Sequence, residues 1–468
     1  MDTTDTTAPF TSHQLLEERI RQLEEENVML RAKLEHATQT NGNQTSFIQA
    51  NENPPLPVST LSDTAASAAV SYEGILNPTQ IERYSRQLLL QGGFGVQGQI
   101  ELQNSKVLIV GAGGIGSTVI LYLAACGVGH LSIVDFDDVD VSNLHRQVIH
   151  KNQDVGMNKA ESARRAVHDL NPTISCSTIQ GPLTESNALE LIQTHDCVVD
   201  ASDNPLTRYL INDACVLSGK PLVSGSAMGM EGQLTVYNFR EGPCYRCLYP
   251  KPNATEGSKS CADNGVLGPV PGLIGVLQAV ETIKVLTGVG EVMSDRLLMC
   301  DASQCSFVRI KKPPKQPQCP ACSGTIRSMK DSYQASQSAR GPSCSVQRQA
   351  PEVSPQHETS VQEYHQIRQR GDPHILLDVR VHEQFDLCRL PGAINIPLSS
   401  LTQQHLQLVK LVPANLPIYC VCRRGIASAM AVNKILQEEI GFDPSAVHHI
   451  VGGLDAWRSQ IDKSFPQY

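Results

Sequence analysis

The 468-residue chain is short of aromatic residues and of basic charge. Aromatic residues make up 4% of it, and its 38 basic residues are outnumbered by 47 acidic ones, for a net charge of −9. This balance argues against a nucleic acid or an anionic membrane as the main partner. No apolar run reaches the roughly 18 residues of a membrane span, and the opening MDTTDTTAPF lacks the basic and apolar parts of a secretory signal. These absences predict a cytosolic protein with no direct nucleic-acid partner and no membrane partner.

Disulfide bonds are also not expected. The chain has 15 cysteines, an odd number, and the missing export signal indicates a reducing compartment, where cysteines serve as metal ligands, nucleophiles or core residues. The apolar content of 40% is enough for packed cores. A chain of this length predicts two or three domains.

Residues 1–40 contain a heptad pattern that predicts a short coiled-coil helix. Asn27 interrupts one of the two apolar seams, a choice that fixes the register of a two-stranded coil. With so few heptads, a solvated helix that frays at its ends is the alternative. The seam positions are Leu16, Leu23 and Leu30 on one side and Ile20, Asn27 and Leu34 on the other. Residues 41–77 are rich in polar residues and proline and are predicted to be a linker.

Residues 78–329 alternate short apolar runs with amphipathic stretches. Buried strands are predicted at 105–110, 131–137 and 196–204, with a helix through Cys126 after the first and a helix across 205–217 after the third. This alternation predicts an α/β domain with a doubly wound, mainly parallel sheet. A further helix is predicted at 272–288 and ends at a glycine.

A Ser-, Gln- and Pro-rich stretch, 330–357, predicts a second, flexible linker. After it, residues 358–468 are predicted to form a small α/β domain of strands and one helix. Strands are predicted at 374–380, 391–398, 416–422 and from 447, and the helix at 429–440.

The motif GAGGIG (111–116) follows a strand and opens a helix, so its backbone amides can approach a phosphate. Asp135 ends the next strand, where it can bind ribose hydroxyls. These two features alone also fit an NAD-dependent oxidoreductase. Arg146, Lys159 and Asp203 lie at strand tips around the same pocket, and two cations with one carboxylate suit ATP and Mg²⁺ better than nicotinamide.

Two CxxC pairs predict a structural zinc site. Cys244 and Cys247 form one pair, and Cys319 and Cys322 form the other. Four thiolates on two tight turns make a closed tetrahedron with no open coordination position, so one Zn²⁺ per chain is expected. Redox chemistry is the alternative, but two pairs without a thioredoxin-like context disfavour it.

The stretch YCVCRRGIAS (419–428) predicts a nucleophile. Cys422 ends a strand, and the loop after it turns into a helix, so several amides and two arginines surround its sulfur. Both lower the pKa of a thiol and stabilise a persulfide anion. Cys420 still lies within the strand and is expected in the core. On spacing alone, Cys261 in SKSCADNG has no predicted role.

These motifs in this order resemble the E1-like, ubiquitin-activating adenylyltransferases. Within this family, the chain resembles the eukaryotic molybdopterin-synthase adenylyltransferases and sulfurtransferases, in which a ThiF-type domain is fused to a rhodanese domain. The resemblance covers residues 78–468. Its motifs are RYSRQLLL, GAGGIG, DFDDVDVSNLHRQ, GMNK, DASDN and CADNGVLGP in the first domain and LLDVR, RLPGAINIPL and GGLDAW in the second.

The resemblance implies specific residue roles. Arg86 would reach into the ATP site of the partner subunit in a homodimer. Cys261 would attack an acyl-adenylate, and Cys422 would carry a persulfide. Arg86, Arg146, Lys159 and Asp203 with Mg²⁺ would stabilise the adenylation transition state. The positions implied to bind ATP are Gly114, Asp135, Ser142, Asn143, Leu144, His145, Arg146, Lys159, Asp203 and Asn204.

The implied activity is adenylation of the C-terminal glycine of a ubiquitin-like sulfur carrier, followed by sulfur transfer that gives a thiocarboxylate. The implied carriers are the molybdopterin-synthase small subunit and a ubiquitin-related modifier, with a cysteine desulfurase as sulfur donor. They would serve molybdenum-cofactor synthesis and 2-thiolation of tRNA wobble uridines. Relatives usually carry Asn-Asp where this chain has Ile426-Ala427, so a non-catalytic scaffold with an inactive rhodanese domain is a further alternative.

Overall fold

The computed structural model describes residues 76–250, 265–337, 352–402, 416–437 and 443–468. The predicted coiled coil, nearly all of the first predicted linker and Cys261 lie outside these ranges. Two sheets organise the described residues, one in each predicted α/β domain.

The first domain is built on an eight-stranded sheet with the order β3-β2-β1-β4-β5-β6-β7-β8. Its strands are β1 (Lys106–Val110), β2 (His130–Val134), β3 (Ser175–Ile179), β4 (Cys197–Asp200), β5 (Leu222–Met228), β6 (Glu231–Tyr237), β7 (Arg296–Asp301) and β8 (Ser306–Lys311).

Strands β1 to β5 run parallel, and the strand order reverses at β1 and β4, which are neighbours. In open α/β sheets, ligands bind beyond the carboxyl ends of the strands at such a switch point. The predicted nucleotide residues lie after β1, β2 and β4, at this edge. Strands β6 to β8 extend the sheet in three antiparallel pairs. The other four strand pairs are parallel, so the sheet is mainly parallel, as predicted, with an antiparallel extension that was not predicted.

Helices accompany this sheet. They are α1 (Pro78–Leu88), α2 (Gly95–Asn104), α3 (Gly114–Cys126), α4 (Lys159–Leu170), α5 (Ala188–Gln193), α6 (Pro205–Ser218), α7 (Tyr245–Leu248), α8 (Pro269–Thr287) and α9 (Met329–Gln337).

Helix α8 is long and apolar enough to cross a membrane by length and composition. It packs instead against α3 and strands β5 and β6, with Ile274 and Ala279 in the main core. Gln278 is fully buried and donates to the carbonyl oxygens of Asp200 and Val223 at 2.8 and 3.2 Å. These contacts make α8 a core helix of the first domain.

The second domain is an all-parallel, five-stranded sheet with the order β11-β10-β12-β13-β9. Its strands are β9 (Glu358–Thr359), β10 (Ile375–Asp378), β11 (Ala393–Asn395), β12 (Ile418–Val421) and β13 (Val447–Ile450), and its helices are α10 (Val361–Arg370), α11 (His382–Leu387), α12 (Ile426–Gln437) and α13 (Gly453–Gln460). The sequence prediction had only α12 among these helices.

Helix α9 changes the boundary between the first domain and the linker predicted at 330–357. Its Ser332 donates to Asp213 at 2.5 Å, and its Ser336 accepts a hydrogen bond from Arg246 at 2.9 Å. Residues 330–337 are therefore packed on the first domain. At the other end, Val353 belongs to the core of the second domain.

Candidate nucleotide, zinc and sulfur sites

A glycine turn joins β1 to α3. Gly111 has φ +102°, and a Cβ there would meet the carbonyl oxygen of Ala201 at 2.7 Å. A Cβ on Gly116 would meet the carbonyl oxygen of Gly111 at 2.0 Å. Only glycine fits both positions, so the turn stays narrow and leads its backbone into the N-terminus of α3, where amides favour a phosphate.

Asp135 braces this turn. It is 9% exposed, and its Oδ2 accepts from the amide of Ala112 at 2.7 Å while Oδ1 accepts from the amide of Asp137 at 2.9 Å. Burial raises the pKa of the Asp135 carboxyl, and the two amide hydrogen bonds and Lys159 oppose that shift. The carboxylate thus ties the strand β2 tip to the loop after β1.

Lys159 begins α4 and is brought to the same edge by Asn158. The Asn158 amide donates to the carbonyl oxygens of Asp135 and Asp137 at 3.2 and 3.1 Å, and its Oδ1 caps α4. The Lys159 Nζ lies 2.8 Å from Asp137 Oδ2, with the lysine side chain 7% and the aspartate 50% exposed. A nearly buried ammonium group is therefore paired with an acidic residue just after β2.

Arg146 lies on the other side of the turn. Its Cγ is 3.5 Å from the position that a Gly114 Cβ would take. Its guanidinium donates to the carbonyl oxygen of Ser142 and to Asn143 Oδ1, both at 3.1 Å. The neighbouring His145 is exposed. Arg146 is thereby fixed against the glycine turn by backbone and amide oxygens rather than by a carboxylate.

Asp203 and Asn204 follow β4 across the switch point. Asn204 caps α6 by accepting from the amide of Leu206 at 2.9 Å. Asp203 is exposed, and a carboxylate oxygen is the ligand that Mg²⁺ prefers. Asp200, the last residue of β4, is fully buried and accepts hydrogen bonds from Ser202 and Ser224.

His150 was not singled out from the sequence. Its Nε2 donates to the carbonyl oxygen of Ala112 in the glycine turn at 3.0 Å, and its Nδ1 lies 2.8 Å from Ser162 Oγ. Ser162 Oγ also lies 2.9 Å from Asp154 Oδ2. Burial lowers the pKa of His150. This chain of buried polar groups supports the turn from the side of α4.

The four cysteines of the CxxC pairs come together. Their Sγ atoms all lie within 4.8 Å of one another, and three of the separations are 3.8 Å (Cys244–Cys247), 3.5 Å (Cys244–Cys319) and 3.7 Å (Cys247–Cys322). Zn–S bonds of about 2.3 Å give a tetrahedron with edges of about 3.8 Å. The four sulfurs therefore fit one zinc ion.

A buried ion pair fastens this cluster to the sheet domain. Arg246, between the first two cysteines, is 1% exposed and makes a bidentate contact with Asp213 of α6 at 2.7–3.0 Å. Its guanidinium also lies 4.6 Å from the ring centre of Tyr209. Because Asn204 caps α6, the cysteine cluster is connected through one helix to the edge that holds the predicted nucleotide residues.

Cys422 lies in the second domain, in the loop between β12 and α12. Its Sγ accepts from the amides of Gly425 at 3.2 Å and Ser428 at 3.3 Å, and the Ser428 hydroxyl is 3.5 Å away. The residue is 4% exposed. Cys420 is fully buried within β12, and burial raises the pKa of its thiol. The loop thus directs amides at one of the two sulfurs.

The loop rests on the start of α13. The carbonyl oxygens of Cys422 and Arg423 accept from the amides of Leu454 and Asp455, both at 2.9 Å. A Cβ on Gly453 would meet the Cys422 carbonyl oxygen at 2.2 Å. The GGLD segment therefore sets the position of the cysteine loop through close backbone contact.

Two protein-family models match the chain. The ThiF family matches residues 84–321, and the rhodanese-like domain matches residues 360–460. The chain belongs to the ThiF family. Its ThiF domain contains the glycine turn and most of the cysteine cluster, and its rhodanese-like domain contains Cys422.

Curated relatives that match most of the chain carry a name that states two activities. "Adenylyltransferase and sulfurtransferase MOCS3" of Aedes aegypti is 45% identical over 404 residues, which cover 84% of this chain and 90% of the relative. The protein of that name from Sus scrofa is 44% identical over 428 residues, covering 88% and 91%. Among solved structures, the E. coli MccB–ATP complex is 26% identical, covers 53% of this chain and 75% of that chain, and has a TM-score of 0.46.

The ThiF domain brings the predicted ATP-binding positions to one edge of its sheet. Gly114, Asp135, Ser142, Asn143, Leu144, His145, Arg146, Lys159, Asp203 and Asn204 all follow β1, β2 or β4 or begin a helix there. Arg86 is in the last turn of α1 and is exposed. Cys261 lies outside the described residues.

Three supporting residues were missed, namely Asn158, His150 and Asp213. The signal for Asn158 was present, because an asparagine just before a helical lysine is a typical N-cap. The other two act through partners distant in the sequence, which no local pattern marks.

Proposed function

We propose that the chain adenylates the C-terminal glycine of a ubiquitin-like sulfur-carrier protein and then converts the activated carboxyl to a thiocarboxylate. The observation that carries this proposal is the pairing, in one chain, of a nucleotide edge with two cations and a cysteine sulfur held by loop amides. The names of the relatives, adenylyltransferase and sulfurtransferase, support the same two activities.

In the first reaction, a carboxylate oxygen of the carrier attacks the α-phosphorus of ATP, and pyrophosphate leaves. Negative charge grows on the phosphate oxygens in the transition state. Lys159 and Arg146 stabilise it as fixed cations that need no reorganisation. Asp203 would hold Mg²⁺, whose charge would add to theirs. Asp135 would bind the ribose hydroxyls.

In the second reaction, the Cys261 thiolate displaces AMP from the acyl-adenylate and forms a thioester. The terminal sulfur of a Cys422 persulfide then displaces Cys261 and gives an acyl disulfide on Cys422. A thiol cleaves the sulfur–sulfur bond, which releases the thiocarboxylate and leaves a mixed disulfide that a second thiol reduces. The amides of Gly425 and Ser428 stabilise the sulfur anion at Cys422.

The cysteine cluster would hold one structural Zn²⁺, which joins the segment after α8 to the ThiF domain. Four sulfur ligands leave no position for a substrate. Its contribution is therefore to stability, transmitted through the Arg246–Asp213 pair.

We propose further that two copies form a homodimer in which Arg86 reaches the partner's ATP site. The exposed Leu89 (72%) and Leu90 (57%), just after Arg86, support an interface there. The carriers are proposed to be the molybdopterin-synthase small subunit and a ubiquitin-related modifier, in the cytosol, with a cysteine desulfurase as sulfur source. These would serve molybdenum-cofactor synthesis and tRNA wobble-uridine thiolation.

Mass spectrometry of a Gly-Gly-ended carrier, incubated with the chain, ATP, Mg²⁺ and a sulfur donor, tests the proposal. The expected product has one oxygen replaced by sulfur, and Cys422→Ala abolishes it. A carrier that is modified equally by the Cys422→Ala variant would instead favour a scaffold with an inactive rhodanese domain. NADH turnover without ATP–pyrophosphate exchange would favour an oxidoreductase.

A further inference from the structure

Tyr468 lies against the cysteine loop of the rhodanese-like domain, between two arginines. The guanidinium carbon of Arg423, the residue after Cys422, is 4.9 Å from the centre of the Tyr468 ring. On the other side, Arg380 donates a hydrogen bond to the Tyr468 hydroxyl, and its guanidinium carbon is 5.7 Å from the ring centre. One aromatic ring therefore links a buried arginine to the arginine beside the nucleophile.

Arg380 is a fixed point in this arrangement. Its side chain is 2% exposed and pairs with the fully buried Asp378 at the end of β10. Its guanidinium also donates to the carbonyl oxygens of Gln384 and Cys388 at 3.0 and 2.7 Å. With its hydrogen bonds satisfied in this way, Arg380 cannot turn toward a ligand, and it anchors the hydroxyl of Tyr468.

Arg423 is held much more loosely. Its side chain is 24% exposed, and its nearest carboxylate oxygen, Asp455 Oδ1, is 3.7 Å from Nε. The Nε atom itself is buried without a hydrogen-bond partner. A guanidinium stacked on a ring keeps its in-plane N–H groups available for an oxyanion. Contact with Tyr468 therefore leaves Arg423 able to bind an anion.

We propose that Tyr468 is a positioning residue of the sulfur-transfer site, whose ring holds the Arg423 guanidinium beside Cys422 to bind a sulfur donor that carries an anionic group. The inference rests on the proposed sulfur transfer at Cys422. For a thiosulfate-type donor, the Cys422 thiolate attacks the outer sulfur. The sulfur–sulfur bond breaks, its electron pair leaves with sulfite, and Cys422 keeps the persulfide anion.

A steady-state assay of the full-length chain with thiosulfate and cyanide separates binding from chemistry. Tyr468→Ala is expected to raise KM for thiosulfate about three- to thirty-fold, the range of a partly buried cation–π contact, with kcat within about two-fold. Tyr468→Phe keeps the ring under Arg423 and is expected to stay within about three-fold of wild type. A fall in kcat with unchanged KM would overturn the proposal.

A second measurement does not depend on sulfur transfer. Iodoacetate and iodoacetamide have nearly the same size but differ in charge, and mass spectrometry of the peptide containing Cys422 reports alkylation by each. Tyr468→Ala and Arg423→Gln are both expected to lower the iodoacetate-to-iodoacetamide rate ratio at Cys422. The double variant is expected to lower it no further than Arg423→Gln.

The control is Phe385→Leu, which removes a second arginine–aromatic contact of the same domain, that of Arg389 at 5.0 Å, and keeps an apolar side chain. Its rate ratio is expected to match wild type. An unchanged ratio in Tyr468→Ala, or a rise in both rates that leaves the ratio constant, would refute a positioning role for Tyr468. Wild type that shows the charge preference but no thiosulfate turnover would count against the proposed function and not against this inference.

Discussion

Two loops of this chain run from the end of a central parallel strand into the first turn of a helix. They differ in the origin of the negatively charged group that their backbone amides face. We propose that the glycine turn after β1 offers its backbone amides to the phosphate group of a bound nucleotide. The loop after β12 turns its amides toward a sulfur that belongs to the chain, at 3.2 and 3.3 Å from Cys422 Sγ. On this proposal, the same strand–loop–helix unit serves ligand binding in one domain and covalent transfer in the other.

The difference lies in what supports each loop. Side chains brace the glycine turn, with Asp135 at the amide of Ala112 and His150 at its carbonyl oxygen. Backbone braces the cysteine loop, because α13 donates to the carbonyl oxygens of Cys422 and Arg423. Polar side chains can respond to a bound ligand, whereas close backbone contact keeps a nucleophile in place.

Removing the Cys422 sulfur is expected to have the largest effect on the difference between the two loops. Cys422→Ala should abolish sulfur loading and thiocarboxylate formation, because no persulfide can form, and should leave ATP–pyrophosphate exchange unchanged. Mass spectrometry of the chain after incubation with thiosulfate measures the first, and isotope exchange measures the second. Cys420→Ala is the matched control, since its thiol is buried in β12, and it should retain loading. Loading at another cysteine in Cys422→Ala would contradict the assignment.

Zinc removal tests whether the glycine turn is stabilised by the distant cysteine cluster as well as by the residues that contact the turn. Structural zinc contributes several kcal/mol to folding, and here α6 carries that support from Asp213 to Asn204. Cys319→Ser or a strong chelator should lower the unfolding temperature of the ThiF domain and weaken ATP–pyrophosphate exchange.

The rhodanese-like domain provides the internal control for that experiment. The single tryptophan, Trp457, is 6% exposed in α13 and reports on that domain alone. Its fluorescence transition, and thiosulfate turnover at Cys422, should not change on zinc removal. An equal shift of the Trp457 transition would show that zinc removal also destabilises the rhodanese-like domain, so that the two loops do not have separate structural support.

Lys159→Met is expected to reduce ATP–pyrophosphate exchange by about 10²–10³-fold, the effect of losing one preorganised group that stabilises transition-state charge. Lys151→Met is the matched control, because Lys151 is 59% exposed and its Asp169 contact is 3.8 Å. Sulfur loading at Cys422 should be normal in both variants. An exchange rate in Lys159→Met within about three-fold of wild type would remove Lys159 from the chemistry.

Local sequence patterns correctly predicted the structural features that depend on residues close together in the sequence. Helix α8 was expected at 272–288 and spans Pro269–Thr287, because Gly288 has φ +67° and ends it. The cluster of four cysteines was also predictable, since the two CxxC spacings specify four candidate ligands. Both signals are contained in the residues that form the feature.

Features that depend on distant partners were missed. Helix α9 has a linker-like composition, but its Ser332 and Ser336 satisfy the buried Arg246–Asp213 pair, and tertiary contacts override composition. The antiparallel pairing of β6 with β7 joins residues such as Glu231 and Asp301, far apart in sequence. The contact of Tyr468 with Arg380 spans a similar distance. Such long-range pairings leave no periodic pattern in the local sequence from which they could be predicted.

The smallest expected effect concerns His150, which supports the glycine turn through the carbonyl oxygen of Ala112. Burial lowers its pKa in the folded state below the ordinary value of 6.5, so the unfolded chain binds its proton more readily. The stability that this residue contributes is therefore fully present above about pH 6.5 and is lost as the pH falls through that value toward the folded pKa.

Urea unfolding of the ThiF domain, followed by circular dichroism between about pH 7.5 and about pH 5.5, measures this dependence. His150→Gln should make the fall in unfolding free energy with decreasing pH shallower, because a neutral amide has no proton to gain. His168→Gln, at an exposed position in the last turn of α4, should keep the wild-type slope. If both variants gave equal slopes, the side-chain bracing of the turn would not depend on a neutral imidazole. The contrast with the backbone-braced cysteine loop would then rest on Asp135 alone.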